Sequence, residues 1–430
     1  MKNSGVEWIG EITDGWEVKK LKYLGNYING YAFKPEDWKS FGKRIIRIQD
    51  LTSNNENPNY YNEELDKCYE VKKGDILVSW AATLDAFIWD KETGWLNQHI
   101  FKAEPFVEIV NKSFFFWLIK ESMKNMNNDN KHGIVMQHVT LGVFNNFEVP
   151  LPPKETQQKI AAYLDSKCSK IEETIQNQQQ VIEKLKAYKQ SLITEAVTGK
   201  IKIQNGKACG KYEEYKDSGV EYLGSIPKNW NVKRLRYIGK CQNGISKGGE
   251  FFGSGYPFVS YGDVYNKLVL PEKVTGLIES TAEEQENYSV KAGDIFFTRT
   301  SETIEEVGFT SVCLKTIENA TFAGFVIRVR PFTDDLIPDF SKYYFSSNAH
   351  RRFFVKEMNL VTRASLSQDL LKSLPVLLPS KEEQKSIADY LNKKYTAIDT
   401  AIEQKQKLIE KLTEYKKSLI YECVTGKKVV

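Results

Sequence analysis

Residues 192–200 read LITEAVTGK, and residues 419–427 read LIYECVTGK. Outward from this match, residues 149–200 and 376–427 align without a gap, with about 28 identities in 52 positions. A repeat of this length decides the architecture before any local feature does, because both copies must form the same structure. The sequence therefore predicts a molecule built from two similar halves.

A second match marks the start of each half. Residues 4–25 and 218–239 share about twelve identities in 22 positions. Between the matched borders, residues 26–148 and 240–375 keep only a thin skeleton of similar segments, which still argues for one fold. Each skeleton segment has the composition of a turn beside a strand. The aligned pairs are Arg47 to Leu51 with Ser260 to Val264, and Gly74 to Val78 with Gly293 to Phe297.

Aromatic stretches of helical character follow in both halves. Phe115 to Leu118 and Tyr343 to Phe345 lie in polar-flanked segments of helical length. Each half therefore has a mixed α and β character. We expect these aromatic side chains to be core rather than a ligand platform.

A long helix is predicted at the end of each half. Proline is tolerated in a first helical turn and serine is a good N-cap, whereas glycine ends a helix without steric cost. Ser380 and Glu383 have the spacing of a capping box. Each helix is expected to be about 40 residues long, or roughly 60 Å. The start signals are Pro152-Pro153 and Pro379-Ser380, and the stop signals are Gly199 and Gly426.

Apolar residues recur with heptad spacing along both helices, which predicts an intramolecular coiled coil rather than two solvated helices. Antiparallel pairing is favoured, because a parallel pair would require the short linker 201–217 to span roughly 60 Å. Polar residues interrupt the seam at Gln178, Lys189, Lys405 and Lys416, which would set its register. The predicted seam residues are Leu164, Ile171, Ile175, Ile182, Leu185, Leu192, Leu391, Ile398, Ile402, Ile409, Leu412 and Leu419.

These signals together predict an α+β protein with two pseudo-repeated mixed α/β domains, separated by two long helices that form an intramolecular antiparallel coiled coil. The predicted divisions are a first domain at 1–150, a helix at 151–200, a linker at 201–217, a second domain at 218–375, and a second helix with a C-terminal tail at 376–430.

Composition limits the class of protein without naming a ligand. The 430 residues carry 60 Lys and Arg against 56 Asp and Glu, a net charge of +4 that does not by itself indicate nucleic acid. The six cysteines contain no CxxC pair, so neither a local zinc ribbon nor a redox motif is formed. No apolar signal segment or membrane-length stretch occurs. We expect a cytoplasmic protein with reduced thiols.

Motifs of catalysis are missing from the sequence, which has no GxxxxGK[ST], HExxH or GxSxG. The four histidines have no spacing that suggests a metal site. Two fragments imitate an adenine methyltransferase, NPNY at 57–60 and FFGSG at 251–255. A cofactor-binding glycine loop needs a strand before it and a helix after it, whereas residues 256–259 predict another strand. We expect no catalysis and no metal in this chain.

The whole pattern resembles the specificity subunit of type I restriction-modification systems, a family with two variable target-recognition domains separated by conserved helices. The resemblance covers essentially all of the chain. The first copy departs from the family's LPxxxEQ pattern at Thr156, which affects a helix cap rather than the assignment. The matching motifs are SGVEWIG at 4–10 with Trp16, SGVEYLG at 218–224 with Trp230, LPPKETQ at 151–157 and LPSKEEQ at 378–384.

This resemblance implies a function that the residues alone do not reach. Such a subunit is not catalytic: each recognition domain reads one half of a bipartite DNA site, and the coiled coil sets the spacer and docks the modification subunits. Two modification subunits would carry S-adenosylmethionine and methylate adenine at N6. Restriction subunits with ATP and Mg would add a site-specific deoxyribonuclease. The implied partners are thus double-stranded DNA and these subunits, with no membrane and no cofactor on this chain.

Residues that contact DNA are predicted only from chemistry, because the variable domains carry no recognition motif. Arg and Lys favour guanine and phosphates, and Asn and Gln favour adenine. A solvated surface charge is the alternative for each candidate, and His99 is either a polar group at a strand edge or a DNA contact. For the positive group Arg351-Arg352 the alternative is the solvent face of a helix. The candidates in polar, loop-like stretches of the first domain are Lys43, Arg44, Lys131, His132, Gln137 and His138. The candidates in the second domain are Lys247, Arg299, Thr300, Ser301, Arg351, Arg352 and Arg363.

Two other classes of function remain open at this point. One is a coiled-coil scaffold protein whose paired domains bind protein or another ligand. The other is an enzyme in its own right. Sequence-specific DNA binding beside a methyltransferase partner would separate the DNA-reading function from the scaffold, and S-adenosylmethionine binding by the isolated chain would support the enzyme.

Overall fold

The computed structural model describes residues 1–53, 55–129, 139–265, 267–301, 307–357 and 364–430. The chain divides into two compact units. The first unit comprises Met1–Gln179 with Gln406–Val430, and the second unit comprises Gln180–Lys405. No helix within the described ranges is long and apolar enough to cross a membrane.

The first unit contains many short strands and few helices. In chain order its strands are β1 (Lys2–Asn3), β2 (Glu11–Ile12), β3 (Glu17–Lys20), β4 (Gly25–Asn29), β5 (Lys43–Ile46), β6 (Tyr60–Tyr61), β7 (Glu70–Val71), β8 (Ile76–Ser79), β9 (Asp85–Ile88), β10 (Gly94–Leu96), β11 (Ile100–Pro105) and β12 (Glu148–Leu151). Its helices are α1 (Ile48–Thr52), α2 (Lys112–Asp129), α3 (Leu141–Asn146), the first part of α4 (Lys154–Val197) and the last part of α10 (Lys381–Val424).

Two four-stranded sheets form the first domain. One has the order β4-β11-β8-β9 and is antiparallel throughout. The other has the order β6-β5-β10-β7, in which β5 and β10 run parallel. Helix α2 buries Phe115 and Leu118 in the same core as Val78 and Phe101 of the antiparallel sheet. The prediction that these helical aromatics are core is confirmed.

The second unit has the same kinds of element. Its strands are β13 (Ile203–Gln204), β14 (Lys207–Ala208), β15 (Tyr215–Asp217), β16 (Ser225–Pro227), β17 (Asn231–Arg234), β18 (Gly239–Asn243), β19 (Phe252–Val259), β20 (Leu277–Ile278), β21 (Ile295–Thr298), β22 (Thr300–Ser301), β23 (Thr310–Val312), β24 (Thr321–Phe322), β25 (Val326–Pro331), β26 (Ala364–Ser365) and β27 (Pro375–Leu378). Its helices are the last part of α4, α5 (Tyr261–Val264), α6 (Ala282–Asn287), α7 (Pro338–Tyr344), α8 (Asn348–Glu357), α9 (Gln368–Ser373) and the first part of α10 (Lys381–Val424).

The strand order of the second domain repeats that of the first. Its antiparallel sheet runs β18-β25-β21-β23, and β19 pairs parallel with β24 as β5 does with β10. The aligned glycines Gly74 and Gly293 have φ of 93° and 89°, and a strand begins two residues after each. Glycine adopts this conformation readily, so the predicted turn beside a strand is confirmed for this pair. The other aligned pair, 47–51 and 260–264, instead forms the short helices α1 and α5 directly after β5 and β19, which corrects the predicted turns there. The thin skeleton of similar segments encodes one fold.

Helices α4 and α10 begin where the sequence signals place their starts. Each is 44 residues long, or about 66 Å. The backbone N–H of Glu383 donates to the hydroxyl of Ser380 at 3.2 Å, and the Glu383 carboxylate accepts from the N–H of Ser380 at 3.4 Å. The predicted capping box of α10 is confirmed.

The ends of the long helices pack against the start of a domain in the same unit. Gly426 has φ of 77°, and a Cβ there would lie 2.9 Å from the hydroxyl oxygen of Thr13. Gly199 has φ of 71°, and a Cβ there would lie 2.4 Å from the ring of Pro227. Both helix ends require glycine, because the backbone has a positive φ there and a Cβ would clash with the neighbouring residue.

The two long helices pair antiparallel, as predicted. In the first unit, Leu164 near the start of α4 shares a core with Leu419 near the end of α10. In the second unit, Leu192 near the end of α4 shares a core with Leu391 near the start of α10. The buried residues of the predicted seam are Leu164, Ile171, Ile182, Leu192, Leu391, Ile398 and Leu419, and the half-buried ones are Ile175, Leu185, Ile402, Ile409 and Leu412.

A lysine in each helix forms an ion pair with a carboxylate of the other helix. In the second unit, Lys189 pairs with Asp399, and its ammonium nitrogen lies 3.3 Å from the ring centroid of Tyr395. In the first unit, Lys416 pairs with Glu172. The two lysines are equivalent in the repeat, as are the two acids. The same polar contact therefore fixes the helix register twice.

Candidate nucleic-acid interface

The end of β8 meets two other segments of the first domain. The backbone N–H of Trp80 donates to the carbonyl of His99 at 3.4 Å, and the carbonyl of Trp80 accepts from the N–H of Val139 at 3.1 Å. The Trp80 ring lies 5.6 Å from the His99 ring and stacks on Phe101. We call Trp80, Gln98, His99 and Val139 the first loop cluster, in which His99 is exposed.

The second domain has the same arrangement with different side chains. The N–H of Arg299 donates to the carbonyl of Phe325 at 2.9 Å, and the carbonyl of Arg299 accepts from the N–H of Leu366 at 2.7 Å. Residues Thr300 and Ser301 continue as β22, paired with β26. We call Arg299, Thr300, Ser301, Phe325 and Leu366 the second loop cluster. One backbone frame thus displays two different sets of side chains.

A glycine in each domain lets the chain pass close to the loop cluster. A Cβ on Gly30 would lie 2.1 Å from the carbonyl oxygen of Asn97, and a Cβ on Gly244 would lie 2.3 Å from that of Ala323. These are backbone atoms that cannot give way, so only glycine fits at either position. The two glycines hold the segment after β4 or β18 beside the cluster.

The segments that follow these glycines carry exposed aromatic side chains. Trp38 is 40% exposed, and the guanidinium of Arg47 lies 4.8 Å from its ring centroid. Arg47 also donates to the side-chain oxygen of Asn59 at 2.9 Å. In the second domain, Phe252 and Tyr256 are exposed in the corresponding segment. Exposed aromatic and guanidinium groups suit base stacking and phosphate contact.

The two described candidates of the first domain lie in strand β5 rather than in a loop, which corrects that expectation. The ammonium of Lys43 lies 3.1 Å from Glu64, and this hydrogen bond raises the pKa of Lys43. Arg44 is 8% exposed, and its Nε donates to Asp50 at 3.1 Å. Asp50 therefore holds Arg44 inside the domain as a structural ion pair. Lys131, His132, Gln137 and His138 lie outside the described residues.

In the second domain, three of the predicted DNA contacts fall in one place and one is internally paired. Arg299, Thr300 and Ser301 belong to the second loop cluster and are half-buried. Lys247 forms an ion pair with Glu284 at 2.6 Å, and this hydrogen bond lowers the pKa of Glu284. Arg363 lies outside the described residues.

Arg351 and Arg352 are neighbours in α8 with different surroundings. The guanidinium of Arg351 is half-buried, lies 5.1 Å from the ring centroid of Phe309 and contacts the carbonyl of Val307. Arg352 is exposed. The two arginines therefore do not act as one positive group.

Sequence reasoning missed Trp80 and Phe325, of which Phe325 is 64% exposed. A signal for Trp80 existed, because it follows the aligned segment 74–78 by two residues, as Arg299 follows 293–297. Phe325 had no such signal, since its place beside Arg299 depends on strand pairing. The DNA-contact role of all these residues stays a prediction.

Neither imitation of a methyltransferase loop has the structure that the chemistry needs. The FFGSG segment continues as strand β19 to Val259 instead of leading directly into a helix, as predicted. The NPNY segment leads into strand β6. Within the described ranges, no group of three or more His, Cys, Asp or Glu side chains is placed to hold a metal ion.

Two domains that display different side chains on the same backbone frame, and that pack on the same two long helices, define a protein with two related candidate binding sites. The chain belongs to the family described as type I restriction modification DNA specificity domain, whose model matches residues 13–187 and 227–413.

Known relatives cover nearly the whole chain. It is 24% identical over 421 residues to the type I restriction enzyme EcoBI specificity subunit of Escherichia coli, covering 96% of this chain and 86% of the relative. It is 22% identical over 440 residues to the EcoKI specificity subunit of Escherichia coli strain K12, covering 97% and 90%. These relatives support the resemblance seen in the sequence.

Solved structures confirm the fold. A chain from a structure of complex assembly and conformational transition in the type I R-M system has a TM-score of 0.73 at 15% identity, covering 97% of this chain and 100% of that one. The HsdS subunit from Thermoanaerobacter tengcongensis has a TM-score of 0.52 at 15% identity, covering 97% and 98%.

Proposed function

We propose that this chain is the DNA sequence-specificity subunit of a type I restriction-modification complex, in which each domain reads one half of a bipartite site. The pair of loop clusters carries the proposal. Both clusters use the same backbone hydrogen bonds, whereas Trp80 and His99 in one domain are replaced by Arg299 and Phe325 in the other. A common frame with different contact groups suits two domains that read different half-sequences.

Two modification subunits are the proposed protein partners along the helices. Tyr188 and Tyr415 are equivalent in the repeat and are 52% and 51% exposed. Exposed aromatic side chains are common anchors at protein interfaces. A pair of equivalent anchors supports the docking of two copies of one partner. The restriction subunits, which use ATP and Mg, join this assembly in the proposal.

Chemistry is assigned to the partners in this proposal. S-adenosylmethionine belongs on the modification subunits, which flip an adenine out of the DNA duplex and methylate it at N6. This chain supplies sequence recognition and positioning and holds no cofactor. Its proposed place of action is the cytoplasm, where the host DNA lies.

The spacer between the half-sites is assigned to the paired helices. Two half-sites on the same face of B-DNA are separated by a whole number of helical turns, each about 34 Å long. Paired helices of about 66 Å with two polar contacts that fix their register are suited to hold such a distance.

Methylome sequencing tests the proposal directly. A host that expresses this chain with its neighbouring methyltransferase is compared with the same host lacking only this chain. We expect a new bipartite motif with modified adenine in each half when the chain is present. Unchanged methylation, with a folded and assembled complex, would instead favour a coiled-coil scaffold with paired ligand-binding or protein-binding domains.

A further inference from the structure

A basic cleft lies within the second unit between helix α4 and the second domain. Its volume is about 500 Å³. Four cationic side chains line it, and none of its described lining residues is acidic. The cations come from three separate elements of the fold, and acids outside the lining pair with three of them. They are Lys186, Lys189, Lys267 and Arg351.

Two of these cations are fixed and two are adaptable. Lys189 is held by Asp399, and the Arg351 guanidinium is held against Phe309. The side chains of Lys186 and Lys267 are 55% and 47% exposed. Lys186 lies 2.8 Å from the exposed Glu183, and Lys267 lies 3.8 Å from its acid neighbour in α5, beyond a direct hydrogen bond. The Lys186–Glu183 pair is exposed and therefore weak, and the Lys267 contact is too long for a hydrogen bond, so both lysines are able to turn to an anion.

Neutral groups complete the lining. Gln190 and Asn348 line the cleft and supply amide groups. His350 also lines it, and burial lowers its pKa to about 3, so the imidazole is neutral at physiological pH. The charge of the cleft therefore comes from its lysines and arginine alone.

The cleft adjoins the strand end that carries the second loop cluster. The N–H of Gly308, in the cleft wall, donates to the carbonyl of Thr298 at 3.0 Å, and the N–H of Phe309 donates to the Thr298 hydroxyl at 2.9 Å. Thr298 directly precedes Arg299 of the cluster. The cleft and the second loop cluster are therefore built on adjoining residues of one strand end.

We propose that this cleft binds a backbone phosphate of the DNA whose half-site the second loop cluster reads. The inference rests on the proposed function and names residues for it. A phosphate contact positions the duplex and does not depend on base sequence, because every nucleotide carries the same group. Duplex DNA is favoured over an acidic protein segment because the cleft shares a strand end with the base-contact cluster.

In the described part of the first domain, an acidic side chain takes the position of a cleft-wall residue. Asp85 stands at the position of Phe309, since the strand residues that follow them, Ala86 and Thr310, have equivalent registers. The ammonium of Lys120 lies 2.7 Å from Asp85 and neutralises it. The phosphate contact is therefore assigned to the second half-site only.

The test uses the complex assembled with its methyltransferase partner and a duplex that carries the motif found by methylome sequencing. The variant Lys186→Ala with Lys267→Ala removes the two adaptable cations from exposed positions. We expect affinity for the duplex to fall about 10-fold and the slope of log affinity against log salt to decrease by about 1. Both half-sequences and the spacer should stay unchanged.

Two matched variants separate charge from structure. Lys184→Ala removes a lysine from another face of the same helix and should leave affinity and salt slope at wild-type values. Lys186→Arg with Lys267→Arg keeps the charge and should restore most of the affinity.

Three results would overturn the inference while leaving the proposed function intact. One is a double alanine variant with wild-type affinity and salt slope. Another is loss of partner assembly with an unchanged salt slope, which would assign the cleft to an acidic protein segment. The third is a change in the second half-sequence, which would make the lysines base contacts. Failure of the proposed function is distinct, because the wild-type complex would then give no motif.

Discussion

The side-chain amides of Gln157 and Gln384 make the same hydrogen bonds, one set in each unit. Each amide oxygen accepts from the backbone N–H ahead of a domain helix, that of Asn111 at 2.7 Å and that of Ile337 at 2.9 Å. Each amide nitrogen donates to the carbonyl five residues earlier, at 2.9 and 3.1 Å. Both amides are buried. This last residue of the LPxxxEQ motif therefore ties each long helix to its own domain.

Replacement of this glutamine should destabilise the unit in which it lies. In Gln384→Ala, the half-buried N–H of Ile337 loses its acceptor, and the carbonyl of Pro379 loses its donor in a buried hydrogen bond. We expect the free energy of unfolding to fall by about 2–4 kcal/mol, because buried unpaired polar groups cost about 1–3 kcal/mol each. Chemical denaturation followed by circular dichroism measures this loss.

The exposed Gln404 lies on the same helix and provides a control. Gln404→Ala should change the unfolding free energy by less than about 0.5 kcal/mol. Equal stability of the two variants would show that the buried amide does not contribute.

Much of the helical part of the fold was predictable, because its signals are local. Proline, serine and glycine at the helix ends act within a few residues, and the heptad pattern repeats along each helix. The strand order was not predictable, because pairs such as β5 with β10 join segments about 50 residues apart and leave no local pattern. The repeat did predict that both domains share one fold.

Phe325 is expected to determine the half-sequence that the second domain reads. Its ring is 64% exposed, so Phe325→Ala should not change stability. We expect methylome sequencing to give a relaxed or altered second half-site, with the first half-site and the spacer unchanged.

Phe332 is a matched control for Phe325. It is 62% exposed and stands at the other end of the same strand, β25. Seven residues of strand place the two Cα atoms roughly 23 Å apart. Phe332→Ala should leave the motif unaltered, and an equal effect of both variants would remove Phe325 from the reading surface.

Insertion of residues within 165–195 is expected to change the spacer and leave both half-sequences unchanged. The variant that tests this most directly inserts seven residues after Gln179 in α4 and seven after Lys405 in α10. A heptad keeps the seam in phase and lengthens each helix by about 10 Å, close to three base pairs. Methylome sequencing should then report a longer spacer.

A seven-residue insertion after Gly210, in the linker, is the control for the longer helices. It adds the same number of residues without extending α4 or α10, so the spacer should stay constant. A fixed spacer with altered half-sequences in the helix variant would contradict the proposed role of the helices.

Stability should fall in mild acid because of His350. Burial lowers its pKa to about 3, whereas the unfolded imidazole has its ordinary pKa of about 6.5. Between these values the unfolded chain binds a proton that the folded chain does not, so stability decreases as the pH falls below about 6.5. The loss at pH 5 should be about 2 kcal/mol relative to pH 7.5.

His350→Phe should abolish most of that loss, since its neighbours Phe345 and Phe354 are aromatic. Denaturation at pH 7.5 and pH 5 measures the difference. His99→Asn, at an exposed position, should keep the wild-type loss. The same pH dependence in wild type and His350→Phe would assign the loss to other groups.

The site was less predictable than the fold, and Arg44 shows why. An arginine suits DNA contact, but the Arg44 guanidinium is hydrogen-bonded to Asp50 inside the domain. Asp50 lies in α1, the helix that follows the strand of Arg44. Whether an arginine or lysine pairs with an acidic side chain depends on tertiary packing, which the sequence composition does not determine. Arg299 was identified from its chemistry alone, and its place beside Phe325 came only from the structure.

The core of the first unit includes Leu419, Ile420, Cys423 and Val424 at the end of α10. A ribosome synthesises all 226 residues of the second unit, which is continuous, before it reaches them. At about 5–20 residues per second, this takes roughly 10–45 s. The first domain, although translated before the second, is completed after it. A nascent chain therefore exposes apolar surface there until the end of α10 has been synthesised, which is an interval in which chaperones act.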